Sequence, residues 1–136
     1  DFYWSVYNVQ GDPLFAIDFD NFNTNIWYAL GNDFHFTGKT FAPNTFYTLV
    51  VTMNFAQNRW SATLDNDPLA TNQPIAGTGV PLNLGDIDAV WAVYTKGLPG
   101  DNYMLFDNYR ITAETLPPPP RPKYFSGIFS CSCSCS

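Results

Sequence analysis

Two pairs of aspartates, Asp18/Asp20 and Asp86/Asp88, stand two residues apart in stretches that read as strands. That spacing projects each pair onto one face of a sheet. Paired carboxylates are what glycoside hydrolysis requires, about 5–5.5 Å apart for retention and roughly 6.5–9.5 Å for inversion. Asp86/Asp88 follows Gly85 at a strand start, where carboxylates commonly serve turns. His35 is the sole histidine and lies between Phe34 and Phe36, an arrangement that reads as a rim or surface position and not as part of a Ser-His-Asp triad. No His/Cys zinc spacing and no glycine-rich phosphate loop occurs before the C-terminal tail. A different chemistry is open to the aromatic residues. Rings off the core face, flanked by amides, form platforms on which sugars stack. The candidates are Trp27, Tyr28, Tyr94 and Tyr103, with Asn23, Asn25 and Asn102 beside them. Packing in the core or at a sheet edge is the other reading of each ring. Trp60 and Trp91 alternate with small or polar neighbours and are expected to point inward.

The elements that must position these groups are strands. Twelve Phe, eight Tyr and four Trp favour extended chain, and Glu114 is the only glutamate. Eleven Pro, nine Gly and many Asn and Asp supply turns. Phe15, Ile17 and Phe19 alternate with Ala16, Asp18 and Asp20. A five-residue connection, Asn21 to Asn25, then leads into Ile26–Leu30. Phe46 to Phe55 reads as one long strand with Tyr47, Leu49, Val51, Met53 and Phe55 inward. After Ala56-Gln57-Asn58 the next strand, Arg59 to Leu64, turns Trp60, Ala62 and Leu64 inward, and Asp65-Asn66-Asp67-Pro68 ends it. Ile87–Thr95 and Tyr103–Ala113 complete the set. The expectation is an all-β antiparallel two-sheet sandwich of the jelly-roll type over residues 1–115. A polyproline linker over 116–122 and a Cys/Ser tail over 123–136 follow it. Cys131, Cys133 and Cys135 sit too close together for easy disulfides between neighbours. The chain starts within a strand-like pattern, Phe2 to Val6, so an N-terminal truncation is expected. With it comes an open sheet edge that promotes self-association.

Charge narrows the partners. The formal net charge is −6 and only six residues are basic, scattered through the chain, so a nucleic acid is not an expected partner. No apolar run approaches the roughly 20 residues of a membrane span.

Phe41-Ala42-Pro43-Asn44-Thr45-Phe46-Tyr47-Thr48-Leu49-Val50-Val51-Thr52, followed by Asn58-Arg59-Trp60-Ser61-Ala62-Thr63-Leu64-Asp65, resembles the central hairpin of laminin-G-like jelly rolls. These belong to the concanavalin A-like lectin/glucanase superfamily. Tyr103-Met104-Leu105-Phe106-Asp107-Asn108-Tyr109-Arg110-Ile111 is similar to the closing strand of such domains, and the resemblance covers residues 14–113. It implies two curved antiparallel sheets that bind sugars or proteins on the concave face or the loop rim. It also implies a structural calcium at Asp107, with Asp101 and Asn102 supplying further oxygens. The glucanases of the group carry two glutamates around an aspartate on one strand, a signature that a single glutamate at position 114 cannot make. The expected function is therefore a non-catalytic, extracellular or cell-surface module that recognises a glycan or a protein partner. A structural spacer and a divergent glycoside hydrolase are the alternatives.

Overall fold

A computed structural model describes residues 1–93, 97 and 100–114. Tyr94, the polyproline linker and the Cys/Ser tail lie outside the described residues. Asp1–Met104 form one compact unit, and the residues from Leu105 on belong to a second.

The described chain forms eight strands and one 3₁₀ turn. The strands are β1 (Phe2–Tyr7), β2 (Pro13–Asp20), β3 (Asn25–Leu30), β4 (Asp33–Thr40), β5 (Leu49–Asn54), β6 (Arg59–Leu64), β7 (Asp67–Gln73) and β8 (Asp86–Trp91). Two antiparallel sheets result, a five-stranded one ordered β4-β3-β2-β1-β8 and a three-stranded one ordered β5-β6-β7. The all-β antiparallel sandwich is thus as its composition and period demand. Its connectivity is a four-strand meander, a three-strand meander, and a last strand that returns beside the first.

Local chemistry explains the joints. Leu30 pairs with Asp33 across Gly31-Asn32, and Gly31 takes φ 60°, the first central position of a type II′ hairpin turn. Leu64 pairs with Asp67 across Asp65-Asn66, both left-handed at φ 49° and 72°, as a type I′ turn requires. Asp65-Asn66-Asp67-Pro68, expected to end the strand, is instead a hairpin that launches β7. Pro68 is tolerated there because β7 is an edge strand. Asn58 caps the 3₁₀ turn Phe55–Gln57 at φ 53°. Its side-chain oxygen accepts from Ile75 and Ala76 N–H at 3.0 and 3.1 Å, and its amide donates to the Ala76 carbonyl at 3.0 Å.

The core lies between the sheets. Val6, Phe15, Ile17, Phe19 and Ile26 from the large sheet meet Trp60, Ala62, Leu64, Leu69 and Ala70 from the small one. Phe15 stacks on Trp60 at 4.1 Å between ring centroids, and Tyr28 meets the same indole edge-on at 5.6 Å. Tyr47, Leu49, Val51, Met53 and Phe55 all pack on this cluster, as their alternation predicts, although the strand itself begins only at Leu49.

Two further expectations fail. Tyr103–Ala113 is not a strand: Asn108 takes φ 55°, which breaks an extended course, and its N–H bonds back to the Asp107 carboxylate at 2.8 Å. Trp91 lies on the inner face opposite Phe2 but is not packed in the core; it ends the edge strand β8 and is 51% exposed.

The join between β8 and the β1–β2 loop is tight. Gly85 N–H donates to the Tyr7 carbonyl at 2.8 Å, and a Cβ on Gly85 would overlap the Asn8 carbonyl group. Buried Asn8 cannot yield, because its side chain accepts from Gln10 and Asp12 N–H and donates to Asp12 and the Pro81 carbonyl. Gly85→Ala is expected to destabilise the domain by about 1–3 kcal/mol through this overpacking. A urea midpoint unchanged from that of the parent protein would refute it.

Candidate functional site

Alternation fixes which residues of the five-stranded sheet look away from the core. Ile17 and Phe19 are in the core, so Asp18 and Asp20 project from the opposite face. Register then carries the row across the sheet: Val90, Tyr3, Asp18, Trp27 and Phe36 lie directly opposite one another on β8, β1, β2, β3 and β4. At the ~4.8 Å spacing of strands this row runs about 19 Å. The parallel row two residues along is Asp88, Ser5, Ala16, Ala29 and Phe34. Small side chains thus fill the middle of that second row, beside a ridge of rings. Trp27 and Phe36 touch, with ring centroids 5.0 Å apart, while Phe34 and Phe36 are each about half exposed.

Asp18 is the unusual member. It is only 5% exposed, and its Oδ1 has no hydrogen-bond partner within the chain. Burial pushes its carboxyl up from 3.8 to about 6. The N-terminal amino group opposes this, the Asp20 charge adds to it, and a hydrogen bond with Tyr3 opposes it. Asp20 behaves differently. Burial pushes its pKa up slightly, but bonds from the Asn23 amide at 2.9 Å and from Phe22 and Asn23 N–H hold it below the usual carboxylate range. The two carboxylates share a face as their spacing predicts, yet one is committed to an Asx turn.

At the β1/β8 end of the face lies an open cleft of about 440 Å³, lined among others by Tyr7, Asn8, Val9, Asp86 and Asp88. Asp86 and Asp88, opposite Tyr7 and Ser5, also project from this outer face.

The sequence-selected residues divide accordingly. Trp27 is in the central row, and Asn25 is on the same face opposite Asp20. Asn23 is engaged with Asp20 in the β2–β3 turn. Tyr28 is on the inner face against Trp60 and is not a platform residue. His35, opposite Tyr28, stacks on it at 4.9 Å on the edge strand β4. Asp101, Asn102 and Tyr103 lie in exposed coil outside both sheets, and Asp107 lies in the second unit. Among the described residues no group of three or more His, Cys, Asp or Glu is placed to hold a metal ion. No helix of the described chain is long and apolar enough to cross a membrane.

Sequence reasoning missed Tyr3 and Phe36, and it weighed Asp18 only as a catalytic acid. No local signal gave the burial of Asp18, because alternation with Ile17 and Phe19 places an aspartate on the face away from the core. Which rings flank it depends on register, which no local pattern reveals. Comparison of the chain with protein-family models, with curated proteins and with solved structures yields no match in any of the three.

Proposed function

We propose that this chain is a non-catalytic extracellular binding module that lays a glycan across the outer face of its five-stranded sheet. The observation that carries this reading is the row Tyr3-Asp18-Trp27-Phe36, in which rings flank a buried acceptor on a strand-built, rigid surface. Sugars present apolar ring faces to aromatic side chains, and the rings of this row supply that partner beside the buried Asp18 carboxyl. The row is long enough for a few linked sugar rings. At its β4 end the face exposes Phe34 and Phe36, apolar rings of the kind that mark binding surfaces when they cluster. Hydrolysis is less well supported, because Asp20 is held in its turn and no second free carboxylate stands directly opposite Asp18.

Affinity electrophoresis through gels containing soluble polysaccharides tests the reading. At least one polysaccharide should retard the protein, and Trp27→Ala should weaken that retention about tenfold or more, equivalent to ~1.4 kcal/mol. Trp27 also packs on Phe36, so the variant is compared at a urea concentration and temperature where far-ultraviolet dichroism shows it folded. Retention that survives Trp27→Ala would remove this face from the reading. Failure of every polysaccharide to retard the parent would favour the spacer.

A further inference from the structure

The outer face has a charge character that stacking alone does not use. Asp18, Asp20, Asp86 and Asp88 all project from it. The two basic residues within strands belong elsewhere: Lys39 pairs with Asp67 of β7 at 3.4 Å, and Arg59 is on β6 of the other sheet. Between Tyr3 and Trp27 in the row lies Asp18, nine-tenths buried, with Oδ1 lacking any partner within the chain. We infer that the saccharide this face takes carries free amino groups, held as ammonium over the Tyr3-Trp27-Phe36 ridge with Asp18 behind it.

The inference rests on the glycan reading and adds a charge to it. An ammonium over an indole or phenol face is attracted by the ring quadrupole, an interaction that grows as water is excluded. A carboxylate shielded from solvent acts on the same cation through a lower dielectric than bulk water provides. The two attractions point the same way only when the ligand is positive. A hydroxyl or an acetamido group in that place gains the stacking and no charge term. The acids at the β1/β8 end, Asp86 and Asp88, extend the same preference along a chain that bears an amine on each sugar.

The test compares glucosamine oligomers with their N-acetylated counterparts of equal length, by calorimetry on the full chain near neutral pH. The amine-bearing oligomer should bind at least about tenfold more tightly, and Asp18→Asn should abolish most of that preference. Asp101→Asn removes one exposed charge outside the sheets and should leave the preference intact. Equal binding of the two oligomers would overturn the amine preference while leaving the glycan reading standing. A preference that survives Asp18→Asn, or falls as far in Asp101→Asn, would show that net charge and not this site is responsible. Binding of neither oligomer, together with no retention by any polysaccharide, would end both proposals.

Discussion

Trp60→Ala is expected to cost about 3–5 kcal/mol, the range for removing a large aromatic from a packed core. The indole is 2% exposed and is the largest of the fully buried side chains. It takes the stacked face of Phe15 and the edge of Tyr28, both from the opposite sheet, so one side chain holds the two layers together. Removing it takes apolar area out of the core and leaves a cavity that rigid strands cannot collapse to fill. Domains of this size are stable by roughly 5–15 kcal/mol, so the variant should be near the limit of folding. Urea titration followed by far-ultraviolet dichroism measures it. Trp60→Phe should retain part of the stacking and lose less. A loss below about 1 kcal/mol for the alanine variant would mean that the sheets do not meet around this ring.

Asp18→Asn is expected to work in the opposite direction. The folded carboxyl holds its proton up to about pH 6, whereas the ordinary value is 3.8. Between those values the folded protein binds more protons than the unfolded chain, so stability falls as the pH rises. Below about pH 4 the penalty is absent, and above about pH 6 it is complete. At ~1.36 kcal/mol per pKa unit, its ceiling is about 3 kcal/mol. The asparagine variant should therefore be more stable than the parent at neutral pH, by up to that amount, and should lack the decline through pH 4–6. The charges bearing on the site are the N-terminal amino group and Asp20, and Tyr3 contributes a hydrogen bond; none of the three is altered. Parallel pH profiles of the two proteins, measured by urea midpoint at several pH values, would disprove the assignment. A carboxyl that costs the fold stability and faces a ring-lined surface fits a binding role better than a structural one.

How much of this was readable beforehand depends on whether a stretch had a clear phase. Arg59–Leu64 alternates cleanly, and Trp60, Ala62 and Leu64 are buried as expected. Ile26-Trp27-Tyr28-Ala29-Leu30 is apolar at nearly every position, so period two gives no phase there. Tyr28 was placed outward and is inward. Only the pairing of Trp27 with Asp18 settles the matter. Trp91 illustrates a second limit: alternation assigns a face but cannot tell how far the opposing sheet extends beneath it. Asp65-Asn66 shows a third, since the same residues that end a strand also make the tightest hairpins. In Tyr103–Ala113 composition pointed to a strand, but Asn108 adopts a left-handed conformation that only the folded chain displays. Of the candidate site, Trp27 was identified from its type, and its partners Tyr3 and Phe36 came only with register.

The placement of β8 beside β1 has a consequence for assembly. Every other described ladder joins strands that are neighbours in sequence, whereas this one closes a loop of about eighty residues. Hairpins form within microseconds, but bringing distant segments together carries the entropy of the intervening chain. One flank of β1 therefore stays unpaired during synthesis until β8 has been made.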